Sequence, residues 1–342
     1  MENSKTSAES LIRSVIENEK KTINKIYSLF YTPTKIDLLE NKIIRTPRGG
    51  KDSYNSLQFT KEGFYELFND NSKEFKNKLE TATSGFEKVN NRILTLHSSA
   101  LIPFLTFYKV SIDNPITIPL PVNEDGNTLN VTFRNSIFEF GNKIVDSSHD
   151  SKIDIALFDG MNIEDSNNIL LLESKFTEYF NNCGKVDKIS EKYYDIFNIT
   201  PIKEYLNQLD LILKNDINHE NHFILDKSEG RNLIFCEGIK QMVCHYLGAM
   251  HYASTHKNQH IYLGTILFDF GREVKNANSK LKSYKTMYQD LANVLTGLIY
   301  YSDEKYQRPS NLTILKDIIT YKDIYSLEFP FNENAKIIYA DK

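Results

Sequence analysis

Between residues 7 and 30 apolar side chains recur at helical spacing: Leu11, Ile12, Val15 and Ile16, then Ile23, Ile26, Tyr27 and Phe30. A recurrence at i, i+3 and i+4 predicts amphipathic helix. The pattern turns polar around residue 45, in NKIIRTPRGGKDSYNS, where Arg45, Arg48 and Lys51 flank Gly49-Gly50. Such a stretch reads first as a solvated loop. Its three cations are also candidate contacts for a phosphate backbone. FEKVNNRILTLHSSALIPFLTFYKV (residues 86–110) predicts a largely helical element interrupted near Pro103.

The period then shifts from helical to alternating. PITIPLPVNEDGNTLNVTFRN shows β-type alternation with a turn signal at Asp125-Gly126-Asn127. SIFEFGNKIV, KIDIALFDG and NILLLESKF follow as three short strands with polar connections, which suggests an antiparallel meander. Residues 176–220 are polar and aromatic, with helical stretches. FCEGIKQMVCHYLGAMHYAS (235–254) predicts a helix, and HIYLGTILFDFG a buried strand. From Ser279 onward the chain reads as mostly helical. The middle of the chain is therefore helix, three strands, helix, strand. Three regions are expected: helical residues 1–80, a core over 81–275 and a mostly helical 276–342.

Composition adds limits. The 342 residues suffice for one large domain or about two ordinary ones. Trp is absent, but 20 Tyr and 21 Phe supply an aromatic core. A net charge of −4 rules out the whole surface as an adhesive for nucleic acid or anionic membrane, so any such contact needs a local basic patch. Cys183, Cys236 and Cys244 are odd in number and form no CxxC pair, which argues against a disulfide framework or a structural zinc site. The sequence starts without an apolar leader and holds no run of 18 apolar residues, so a cytoplasmic protein without membrane contact is expected.

The chemistry concentrates where the apolar run Ile169-Leu170-Leu171-Leu172 ends in Glu173-Ser174-Lys175. Side chains two apart on a strand share a face, so Glu173 and Lys175 project together. Asp154 stands on the preceding strand; if the two strands pair, all three converge. Two carboxylates and an ammonium suit a hard divalent cation and a phosphoryl group. Acid-x-Lys recurs elsewhere, and the serious rival is Glu273-Val274-Lys275. There, however, Gly271 and Arg272 break the strand before the acid, and no acid-bearing strand precedes it.

Asp154 followed by Glu173-x-Lys175, within helix, three-stranded meander, helix and strand, resembles the PD-(D/E)XK nuclease superfamily. Residues 84–108, 138–145, 152–160 and 169–180 resemble a bacterial restriction-endonuclease family within it. The resemblance spans roughly residues 80–270. It implies an α/β restriction-endonuclease-like core with helical additions at both ends. It further implies a Mg²⁺- or Mn²⁺-dependent phosphodiesterase: Asp154, Glu173 and the Ser174 backbone carbonyl would bind metal, and Lys175 would assist the water. Ile153, not Pro, precedes Asp154, a departure at a position that varies in the superfamily.

Other residues are weighed beside these. Glu87 matches an extra acid near the metal in some superfamily members, or equally a first-turn acid. Glu139 joins the cluster if its strand pairs with that of Asp154; otherwise it is a solvated side chain. Glu237, Gln241 and His245 recur at i, i+4 and i+8, with Lys240 beside them. Gln241 falls where the superfamily often sets a catalytic helper, the alternative being the solvent side of an amphipathic helix. His245 stays open between a buried structural histidine and a functional one. His97-Ser98-Ser99 lacks a GxSxG elbow and is structural or DNA-contacting. His149-Asp150 is a candidate substrate contact, and His219 and His222 a polar loop.

The expected function is a DNA endonuclease in restriction or another defence role. The expected partners are DNA, a second copy of the chain and a companion methyltransferase. The alternatives are a non-catalytic nucleic-acid-binding protein with a nuclease-like fold, or a nuclease acting on RNA or single strands.

Overall fold

The structure is a computed structural model and describes residues 7–18, 22–47, 55–82, 92–123, 126–142, 151–176, 187–215, 222–227, 236–271, 274 and 277–340. Among them are eleven α-helices and four sheets. Strands β1 (Ile43–Pro47) and β2 (Asn55–Phe59) form a hairpin, and β3 (Ile116–Leu120) and β4 (Leu129–Phe133) form a second. Strands β5 (Asn135–Asn142), β6 (Ser151–Phe158) and β7 (Asn168–Lys175) begin the main sheet. Strands β8 (Asp187–Ser190), β9 (Leu211–Asn215) and β10 (His222–Lys227) make a small antiparallel sheet in the order β8-β10-β9. Strands β11 (His260–Leu267), β12 (Leu312–Ile314) and β13 (Ile319–Thr320) complete the main sheet.

That main sheet is mixed, with order β12-β11-β7-β6-β5 and β13 also paired to β11. The meander β5-β6-β7 is antiparallel, as its alternation and short connections predict, while β11 runs parallel to β7. A parallel neighbour needs a crossover. Here the crossover contains the small sheet and the helix Cys236–Thr255. As a central strand, β7 has protein on both faces: Ile169, Leu170, Leu171 and Leu172 are each 0% exposed. This accounts for their unbroken apolar run. Burying each such side chain stabilises the fold by about 1.5–3 kcal/mol.

The structure differs from the sequence reading in the N-terminal region, at Pro103 and in the C-terminal region. The N-terminal part, expected as helical, has the helix Ala8–Asn18 and a 3₁₀ segment Thr22–Phe30, but also the β1–β2 hairpin. Ile43, Ile44 and Thr46 are β-branched, and their strand preference carries into the stretch read as a loop. Pro103 does not interrupt a helix. It lies in the first turn of Leu101–Phe107, where a missing N–H costs nothing because that group has no helical acceptor. The C-terminal part adds β12 and β13 to the edge of the main sheet along with its helices.

Phe75 meets Phe104 and Tyr108 edge-on at 5.3 and 5.1 Å, and Phe104 meets Phe138 of β5 at 5.5 Å. Through these rings the N-terminal helices are tied to the main sheet. His97 is buried; its Nδ1 lies 2.9 Å from the Tyr27 hydroxyl, which also accepts from the Leu57 N–H. That makes it a structural tie between the N-terminal region and its surroundings. Among the described residues no helix is long and apolar enough to cross a membrane.

Candidate active site

The β6–β7 ladder pairs Ile155 with Leu172 and then stops. Asp154 and Glu173 are the next residues on either strand. There the Ser174 backbone N–H donates to Asp154 Oδ2 at 2.6 Å. On the other side of β6, Phe138 pairs with Ile155 and Phe140 with Ile153, which skips Glu139 opposite Asp154. Glu139 has φ 52°, in the left-handed region that a non-glycine residue seldom adopts. Three acids thus stand in one row across β5, β6 and β7, with the backbone locally distorted at the first.

Glu173 is buried and gripped from two sides. Lys175 Nζ donates to Oε1 at 2.6 Å, and His245 Nε2 lies 2.9 Å from Oε2. Lys175 is only 3% exposed. A buried charge of this kind is tolerated only with partners. Burial by itself would raise the Glu173 carboxyl, but the positive field of Lys175 and the His245 contact outweigh it, leaving the carboxyl below the usual range. Asp154 goes the opposite way. Burial raises it well above the usual carboxylate value, as does the Glu173 charge, against the opposing pull of Lys175 and the Ser174 N–H; Glu139 adds a smaller upward push. The two acids therefore ionise unequally, the pattern expected when like charges share a site.

The helix Cys236–Thr255 faces this pair with Gln241 and His245 one turn apart. Glu173, Lys175, Gln241, His245, Thr265 and Tyr284 are among the residues lining a cavity of about 10 Å³, room for about one water molecule. The Oε1 atom of Gln241 is buried and has no hydrogen-bond partner. The alternative of a solvent-facing stripe therefore does not hold for Gln241 and His245, both of which turn inward. Behind Glu173, the Ser174 hydroxyl hydrogen-bonds the Tyr321 hydroxyl at 2.8 Å.

Asp154, Glu173, Lys175 and Gln241 are thus brought together, with the Ser174 backbone between the second and third. Arg45 is not with them: it is exposed on β1, its guanidinium 3.4 Å from the Ser14 hydroxyl. Glu87, Arg48, Lys51, His149, Asp150, His219, Glu273 and Lys275 lie outside the described residues, as does the side chain of Glu237. Sequence reasoning left His245 open and passed over Ser151, whose hydroxyl lies 3.0 Å from His245 Nδ1, as well as Tyr284 and Tyr321. Only the i, i+4 spacing from Gln241 hinted at the first, and nothing local marks the others.

Among the described residues no three His, Cys, Asp or Glu side chains gather as a metal cage. A hard cation such as Mg²⁺ asks for less: one or two carboxylates and several waters. Two mutually repelling carboxylates form an oxygen-only pair that fits Mg²⁺ or Mn²⁺, and the buried Gln241 oxygen without a donor lines the same cavity as Glu173, as an acceptor for water. A comparison with known protein families, with curated proteins and with solved structures finds no match for the chain.

Proposed function

We propose that this chain is a divalent-metal-dependent endonuclease that hydrolyses DNA phosphodiester bonds in a restriction or defence role. The observation that carries the reading is the buried Lys175 ammonium, held 2.6 Å from Glu173 at the end of a central strand, with Asp154 on the adjoining strand. Its likeness to the PD-(D/E)XK pattern in sequence supports the same reading. So does the order of the meander, the crossover helix and the parallel strand β11. Fold alone does not carry it, since related scaffolds host unrelated activities.

In this reading Asp154, Glu173 and the Ser174 carbonyl would hold Mg²⁺ or Mn²⁺, which would supply Lewis acidity toward a phosphoryl oxygen and water. The chain's own groups do the rest. Lys175 offsets negative charge as it develops on the phosphoryl oxygens, a role a fixed cation performs best in a site shielded from bulk water. Gln241 Oε1, lacking a donor, accepts a hydrogen bond from the attacking water and aims it. The Ser174 N–H fixes the Asp154 carboxylate so that it does not swing away between turnovers.

Cutting both strands favours two copies acting together, one site per strand. With a net charge of −4, binding to DNA relies on a local basic surface and weakens steeply with salt. Incubating supercoiled plasmid with the protein and Mg²⁺ tests the reading, with EDTA, RNA and single-stranded DNA in parallel. Mg²⁺-dependent nicking or linearisation is the expected result. A folded protein that cuts no substrate, with or without methylation, contradicts it. Cutting confined to RNA or single strands would keep the chemistry and overturn the substrate.

A further inference from the structure

The end of β7 is held differently from the rest of the strand. As far as Leu172 it has β6 on one side and β11 on the other. Beyond that the β6 ladder has stopped and β11 alone continues, pairing Thr265 with Glu173, Ile266 with Ser174 and Leu267 with Lys175. The Ser174 side chain leaves the strand on the face opposite to Glu173 and Lys175, by the alternation of a strand. There its hydroxyl hydrogen-bonds the Tyr321 hydroxyl at 2.8 Å, a contact across 147 positions of chain. Ser174 and Tyr321 are both buried.

Several interactions set where the C-terminal region presents Tyr321. Strand β12 pairs with β11 at Leu312 to Ile314, and the Leu315 N–H donates to the Leu263 carbonyl at 2.9 Å. Strand β13 then pairs Ile319 with Ile266 and Thr320 with Leu267, the two β11 residues that meet Ser174 and Lys175 from the other side. Thr320 caps the short helix Tyr321–Tyr325. Its hydroxyl accepts from the Asp323 N–H at 3.1 Å, and the Asp323 carboxylate accepts from the Thr320 N–H at 3.2 Å. A reciprocal cap of this kind satisfies both backbone donors and fixes how the chain enters the helix. Tyr321, the first helical residue, is therefore delivered to one place, across β11 from Ser174.

What this contact restrains is the backbone at Ser174. The peptide unit before its Cα carries the N–H that holds Asp154 Oδ2 at 2.6 Å. The unit after it carries the carbonyl that the nuclease reading gives to the metal. Both groups swing if φ or ψ of Ser174 changes, and β6 no longer pairs with this part of the strand. We propose that Tyr321 is a positioning residue, whose hydroxyl holds Ser174 from behind and so keeps its N–H on Asp154 and its carbonyl in place for the cation. The effect on metal binding rests on the nuclease reading; the restraint on the Ser174 N–H does not. Tyr321 touches no reacting atom, and through it the C-terminal region becomes part of the centre rather than an addition to it.

Two measurements on the intact chain separate this restraint from the nuclease reading. The first is amide hydrogen exchange without metal, in protein labelled with ¹⁵N-serine and ¹⁵N-leucine, the Ser174 signal being identified by its loss in Ser174→Ala. Tyr321→Phe keeps the ring and removes only the hydroxyl. It is expected to speed exchange at Ser174 about tenfold, the effect of one lost buried hydrogen bond, and to leave the amides of Leu170, Leu171 and Leu172 as they were. An unchanged Ser174 rate overturns the proposal. So does an equal rise along all of β7, which is the mark of general loosening. The second measurement is Mn²⁺ binding by calorimetry. Tyr321→Phe and Ser174→Ala are each expected to bind about 10–100-fold more weakly, the usual effect of removing a group behind a ligand. The double variant should bind no more weakly than either single one, because both remove the same contact. Full affinity in a folded Tyr321→Phe, or additive losses in the double variant, overturns the positioning role. Absence of Mn²⁺ binding by the wild type sinks the nuclease reading instead, and the exchange rates then decide the restraint alone.

Discussion

The Ser174 backbone N–H donates to the side chain of Asp154, at 2.6 Å, where the β6–β7 ladder stops. A carboxylate thus stands where a strand carbonyl would have been, and the end of the β6–β7 ladder becomes a place where an acid is fixed rather than free. The same step brings Asp154 beside Glu173, and the two acids answer the crowding differently.

Asp154→Asn should stabilise the protein near neutral pH while abolishing cleavage. The amide oxygen still accepts from Ser174, but the charge that burial and Glu173 oppose is gone. The folded-state value of Asp154 is raised, so its contribution to stability is complete at acidic pH, below the unfolded value. It is lost as pH rises through the raised value. Wild-type stability should therefore fall over that window relative to the variant, with a slope of at most about 1.4 kcal/mol for each step of one in pH, the limit for a single proton. Thermal unfolding of both proteins from acidic to mildly alkaline pH, without metal, checks this. Parallel curves would show that Asp154 is not strained by its neighbours.

Lys175 and Glu173 form a buried ion pair, and removing one partner leaves the other charge stranded. Lys175→Met and Glu173→Gln should each destabilise by roughly 3–5 kcal/mol. The double variant should recover much of the loss, since no unpaired charge is left behind. Urea unfolding of the four proteins measures the coupling. Additive losses would mean that the pair is looser than its 2.6 Å contact implies.

Gln241→Leu should leave stability unchanged or raise it by about 1 kcal/mol, because it removes a buried acceptor that has no donor. Cleavage should nonetheless drop, since in the proposed mechanism the carboxamide aims the water. Comparing melting temperature with initial nicking rate separates the two effects. A loss of stability with unaltered rate would make Gln241 a packing residue.

What the sequence disclosed, and what it hid, follows from the range of the interactions. The strand ending in Glu173 and Lys175 is legible because an unbroken apolar run that stops at two charges is a local signal, and the acid on the preceding strand follows from a short meander. The inward turn of Gln241 and His245 is half legible: their spacing places them on one side, but which side faces the sheet depends on β7 and β11. Leu312–Ile314 and Ile319–Thr320 are too short to announce themselves and are strands only because the edge of β11 lies alongside. Ser151 meets His245 across 94 positions of chain, and no local pattern encodes such a contact.

The most direct measurement is plasmid cleavage in Mg²⁺ by wild type, Asp154→Ala and Lys175→Ala, with folding of each verified. Wild-type cutting that falls at least roughly 100-fold in both variants is the predicted result. Cutting that survives Asp154→Ala, or a folded wild type that never cuts, would contradict the claim that these strand ends form one phosphodiesterase centre.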